Sequence, residues 1–245
     1  MVTGFRVFDP DPATLAWASA AHDIAVDLAV DPDIRAANLR HGETWFIGVD
    51  ALPNAPDGSI ANIALKGPCQ DHIAPPDHWH RAQVSIVYPG YPRQDRGESA
   101  ANHRYRITRH AAHVDGLLPE GPARRRFLRE PHAFILGLPL NQSDAAPLVV
   151  WPGSHHIMGA AFRSMIGVKD PDHVDLTDGY VAARRAVFDS ITPVHVVAKP
   201  GQAILLHRHL LHGVAPWAAN AKAPPEGRMI AYFRPQFTAK DWVSA

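Results

Sequence analysis

The chain has almost no cysteine, no long apolar run and no excess of charge, and each shortage removes a class of explanation. Cys69 is the only cysteine in 245 residues, which rules out an intrachain disulfide framework and a cysteine-rich zinc site. No stretch is long and apolar enough to span a bilayer. The opening run Met1-Val2-Thr3-Gly4-Phe5-Arg6-Val7 lacks the basic-then-apolar form of a secretory signal. A cytoplasmic location is therefore the simplest expectation. Lys plus Arg and Asp plus Glu both total 24, so neither nucleic acid nor an anionic membrane is expected as a partner. The chain also has no internal repeat and no low-complexity tract.

What is present points to one sizeable domain over residues 1–245. Apolar residues make up 46% of the chain, enough to fill the core of a large all-β domain. Asp11 can cap a helix that begins at Pro12 and runs to about Val30, with Asp31-Pro32 ending or restarting it, so residues 1–40 form a helical N-terminal part. Strand patterns follow at 44–49, 60–65 and 83–88. A polar loop is expected at 93–102, then a strand from 105–110 that delivers the residues at 113–115. Residues 124–129, Arg-Arg-Arg-Phe-Leu-Arg, suggest a short basic helix or turn, either a lid over an anionic substrate or a solvated face.

Residues 134–140 and 148–151 read as two antiparallel strands. A helical insertion is expected over 157–190, with Thr177 a plausible cap. Strands resume at 194–197, 203–206, 210–214 and 228–233, the last two joined by a hairpin loop. Many short strands with Pro and Gly turns, and helices gathered at the start and in one insertion, argue for a mainly β fold with flanking helices. The fold class expected is a double-stranded β-helix, a cupin-like jelly roll, with its catalytic core over 103–235.

Histidine is abundant, with 16 residues, and one pair stands out. In Arg109-His110-Ala111-Ala112-His113-Val114-Asp115 an extended backbone projects His113 and Asp115 to one face, while Val114 turns into the layer behind them. His110 falls on the opposite face. A second, distant histidine would complete a two-histidine, one-carboxylate face suited to a non-haem ferrous ion with open positions for co-substrate and dioxygen. His212 is assigned that place, with His207 and His209 as rivals.

Four landmarks in order carry a more specific resemblance: His113-x-Asp115, Pro152-Gly153-Ser154-His155, Gly201-Gln202-Ala203-Ile204-Leu205-Leu206 leading to Leu211-His212-Gly213, and Arg228. Together they resemble the phytanoyl-CoA dioxygenase family of iron(II)- and 2-oxoglutarate-dependent oxygenases. The resemblance implies that His113, Asp115 and His212 are iron ligands and that Arg228 pairs with the distal carboxylate of 2-oxoglutarate. It also implies hydroxylation of an aliphatic carbon of a small molecule, with release of succinate and carbon dioxide. Arg234 is the alternative to Arg228. The chain departs from the family's pattern at Val214 and Trp217, where relatives carry polar residues; Asn220 could supply the missing amide. Two other classes use similar ligands: a cupin-like isomerase or hydrolase without 2-oxoglutarate, and a non-catalytic binding protein.

Overall fold

The computed structural model describes residues 1–221 and 223–244. Helix α1 (Pro12–Val30) starts where the Asp11 carboxylate accepts the Ala13 and Thr14 N–H groups and Pro12 fills the first turn. Asp31 ends α1 and caps α2 (Pro32–Asn38) in the same way. Ala18, Ala21, Ala25 and Ala29 fall on one face of α1 at spacings of three and four, and all are buried. Small side chains there let the helix lie close against a sheet.

That sheet has seven strands in the order β1-β10-β7-β12-β4-β3-β2: β1 (Phe5–Val7), β2 (Leu39–Arg40), β3 (Trp45–Gly48), β4 (Gln83–Val87), β7 (Phe134–Pro139), β10 (Ile204–His207) and β12 (Arg228–Phe233). Every neighbouring pair is antiparallel. It thus draws four strands from before residue 103. The period of two decides the faces: Met229, Ala231 and Phe233 of β12 join Leu136, Leu138 and Trp17 under α1. Ile230 and Tyr232 point the other way, into a second core with Ile135, Leu148, Val150, Ile204 and Leu206. A three-stranded sheet, β11 (His212–Val214), β8 (Leu148–Val150) and β9 (Val194–Val196), closes over that inner face. Outside it pack α4 (Ser154–Ile166), α5 (Thr177–Ser190) and α6 (Ala239–Val243), through Trp151, Phe162, Tyr180 and Trp242. Two sheets stacked on one inner core, with helices outside, form the expected double-stranded β-helix.

Several local expectations are corrected. Residues 105–110 are not a strand. Ser99 caps helix α3 (Ala100–Thr108), accepting the Asn102 N–H at 3.2 Å, and the two alanines that follow favour the helix. At 60–65 the chain makes a tight loop, with Ile60 and Ile63 bonded to one another across Ala61 and Asn62 at positive φ. The basic run is strand β6 (Arg125–Leu128), paired with β5 (Leu117–Glu120). Two of its arginines are paired with carboxylates, Arg125 with Asp175 and Asp178 and Arg129 with Glu120, and Arg126 donates to the Leu117 carbonyl. Thr177 is the first helical residue of α5 and not its cap. Strands β7 and β8 lie in opposite sheets, as do β11 and β12. β11 and β12 are therefore not paired as a hairpin.

Candidate metal centre

Backbone pairing, not side-chain attraction, brings the two halves of the centre together. The His113 N–H donates to the His212 carbonyl at 2.8 Å and the His212 N–H to the His113 carbonyl at 3.0 Å. Residues that exchange both bonds in an antiparallel bridge carry their side chains to the same side, and the two imidazoles stand with ring centres 4.6 Å apart. Gly213 permits the approach. A Cβ there would run into the His110 carbonyl, which cannot rotate away. Gly213→Ala is expected to separate the bridge, costing about 2–4 kcal/mol of stability and weakening metal binding in the same variant; unchanged thermal unfolding and unchanged metal titration would contradict this.

The ligand atoms are already turned inward. His113 Nδ1 lies 2.9 Å from the Ala111 carbonyl and His212 Nδ1 2.9 Å from the Leu210 carbonyl. A carbonyl can only accept, so each Nδ1 carries the proton and each Nε2 presents a lone pair. Both Nε2 atoms face Asp115 Oδ1, at 3.0 and 3.7 Å, and the three groups offer ligand atoms all within 4.8 Å of one another. Val114 is buried behind them, as the alternation requires. Burial outweighs the pull of Asp115 and takes the His212 pKa down to about 4, so this imidazole is neutral near pH 7, the form that ligates. Burial by itself would raise Asp115, but the Arg234 guanidinium and the two histidines hold its carboxyl well below the usual range. The arrangement fits a divalent cation: two neutral nitrogens and one carboxylate oxygen at a common point.

The centre opens on a cavity of about 550 Å³ between the sheets. Trp45, Ile135, Leu148, Leu206, Val214 and Tyr232 form its apolar walls, and Asp50, His78, Glu130 and Gln236 are among its polar lining. Val214 is thus a wall residue, while Asn220 is exposed and does not line the cavity. The two arginines occupy different places. Arg234 lines the cavity beside Asp115 and is engaged there, its Nε 2.6 Å from Asp115 Oδ2 and its Nη1 2.9 Å from Gln83 Oε1. Arg228 sits at the far end of β12 outside the lining, 5% exposed, against a small void shared with Asn141, Ser143 and Val196. Its Nη1 is buried with no hydrogen-bond partner, and among the described residues no carboxylate pairs with it.

No family model and no curated protein matches the chain. Among solved structures it is similar to EctD from S. alaskensis with 2-oxoglutarate and 5-hydroxyectoine. The identity is 16%, with 95% of this chain and 71% of that chain covered and a TM-score of 0.42. It is similar also to SnoK, a non-haem alpha-ketoglutarate-dependent carbocyclase from nogalamycin biosynthesis, at 11% identity over 97% of this chain and 84% of that one, with a TM-score of 0.49. A third is the non-haem iron oxygenase OrfP in complex with Fe and alpha-ketoglutaric acid, at 17% identity over 43% and 45% of the two chains and a TM-score of 0.28.

The remaining landmarks support the centre from behind. The turn at 152–155 starts α4, and Ser154 Oγ accepts the Leu211 N–H at 2.9 Å, fixing the residue next to His212. His155 does not line the cavity. It packs at a tilt against His156 and His207 with ring centres 3.9 and 4.8 Å away, and His207 leads on to His209, which lies against Trp242. The rival ligands His207 and His209 belong to this separate cluster. His110 packs near Trp151 and His195. Sequence reading missed Gln83, His80 and His132 around Arg234, because only sheet packing brings them there. No helix among the described residues is long and apolar enough to cross a membrane.

Proposed function

We propose that the chain is a non-haem iron(II)- and 2-oxoglutarate-dependent oxygenase of the phytanoyl-CoA dioxygenase type, which oxidises a small molecule held in the inter-sheet cavity. The observation that carries this reading is the convergence of His113, Asp115 and His212 with their ligand atoms facing one point at the cavity wall. When bound, ferrous iron supplies the redox chemistry that couples decarboxylation of 2-oxoglutarate, to succinate and carbon dioxide, with oxidation of the second substrate. His113 and His212 hold the ion with neutral imidazoles. Asp115 contributes a charge kept ionised by Arg234. Arg228, buried and without an anionic partner, takes the distal carboxylate of the co-substrate in a bidentate fork. One aspartate leaves a ferrous ion with one positive charge, the co-substrate adds two negatives, and Arg228 restores balance. The apolar walls position the substrate and keep water from the reacting centre.

Anaerobic titration of the iron(II)-loaded protein with 2-oxoglutarate tests the assignment. A charge-transfer absorption in the visible region is expected, and succinate should form slowly in air. Arg228→Ala should raise the half-saturating 2-oxoglutarate concentration about 10- to 100-fold, the effect of losing a charge-assisted pair worth about 1.5–3 kcal/mol. Absence of both the absorption and succinate would refute the proposal.

A further inference from the structure

We propose that Arg234 is a positioning residue of the metal centre, whose guanidinium holds one oxygen of Asp115 so that the other alone faces His113 and His212. The inference rests on the metal-centre reading above and concerns a residue outside the ligand set. Arg234 follows β12 on its inner face, in line with Ile230 and Tyr232, and its guanidinium lies 5.1 Å over the Tyr232 ring. Its Nε donates to Asp115 Oδ2 at 2.6 Å and its Nη1 to Gln83 Oε1 at 2.9 Å. The backbone is held as well: its N–H donates to His80 Nε2 at 2.6 Å, and its carbonyl lies 3.2 Å from His132 Nδ1. Contacts from three separate segments, 80–83, Asp115 and His132, thus fix both ends of this residue, unlike an arginine reaching across an open surface.

The consequence lies in the number of oxygens Asp115 can offer. A free carboxylate can chelate a cation through both oxygens, which would take an extra coordination position. Here Oδ2 accepts a short charge-assisted hydrogen bond, while Oδ1 stands 3.0 and 3.7 Å from the two histidine Nε2 atoms. Three protein donors would then hold a metal ion and leave room for other ligands. Electrostatics alone predicts the opposite sign of effect, because a guanidinium beside a cation site repels the cation. If Arg234 acted only through its charge, removing it would tighten metal binding; if it acts by holding Asp115, removal weakens it. A lysine in its place retains the charge without the planar fork.

Titration with cobalt(II), followed by its visible ligand-field absorption, reads both affinity and coordination number. Arg234→Gln and Arg234→Lys are each expected to raise the cobalt(II) Kd about 10- to 100-fold and to change the shape of the absorption. Added methylguanidinium should restore part of the affinity to Arg234→Ala and none to Asp115→Ala. Far-UV circular dichroism checks folding, and Arg234→Lys carries the test if Arg234→Gln does not fold. Unchanged or tighter cobalt(II) binding with an unaltered absorption in a folded Arg234 variant would overturn the proposal. A different failure is distinguishable. No cobalt(II) binding by the unsubstituted chain, or binding that survives Asp115→Ala undiminished, would overturn the metal centre itself.

Discussion

Asp115→Ala is expected to abolish iron(II) binding at micromolar metal, measured by anaerobic equilibrium dialysis. The substitution removes the one anionic donor and leaves two neutral imidazoles whose Nε2 atoms no longer share a charged neighbour. It also strands Arg234, whose Nε then lacks the carboxylate it bonds at 2.6 Å. Both effects act against the cation, since a ligand is lost and an uncompensated positive charge remains beside the site. Breaking a partly buried pair of this kind costs about 3–5 kcal/mol of stability, and loss of a direct ligand should lower metal affinity by more than the roughly 10- to 100-fold that loss of an outer partner costs. Asp115→Asn, which keeps shape and loses charge, should fall between the two. Full iron affinity in Asp115→Ala would mean that a different carboxylate completes the centre.

Metal-free protein should lose several kcal/mol of stability between pH 7 and pH 5. Four histidines are responsible, His155, His209 and His212 buried and His207 half-buried. Burial, the largest cause in each case, takes His155 and His212 down to about 4, His207 to about 3 and His209 to about 2. In the unfolded chain a histidine titrates near 6.5. As the pH falls through that value the unfolded state takes up protons that the folded state refuses, so stability is complete above about 6.5 and declines until the folded pKa is reached. By pH 5 each histidine costs at most about 2 kcal/mol, and together they take a large share of what holds a typical domain. Asp115 works in another window: its depressed pKa adds stability that is lost only below about pH 4. Urea unfolding followed by tryptophan fluorescence at pH 7, 6 and 5 measures the decline, and a flat profile would show that the cluster admits protons without opening.

Parts of this protein are legible locally and parts are not. Asp11-Pro12 and Asp31-Pro32 announce their helices because a cap and a fixed φ act within one turn. His113 and Asp115 announce themselves because an extended chain alternates faces whatever lies around it. The run at 124–129 misleads for a related reason: charge clusters resemble surface helices, and only the hairpin with β5 and the acidic partners at 120, 175 and 178 reveal a strand. The two arginines show the limit most clearly. Both occupy the inner face of one strand direction, and alternation alone makes Arg228 and Arg234 equivalent.

By itself the sequence determined the kinds of candidate ligand, the spacing of His113 and Asp115, the mainly β character and the absence of a cysteine-rich site. The sheets decided the rest. Their stacking set His113 opposite His212, placed Arg234 against a carboxylate 119 positions away, and left Arg228 buried without a partner. The physical reason is range: alternation and capping are settled by neighbours in the chain, whereas the meeting of distant strands depends on which apolar faces bury one another, and no local pattern records that.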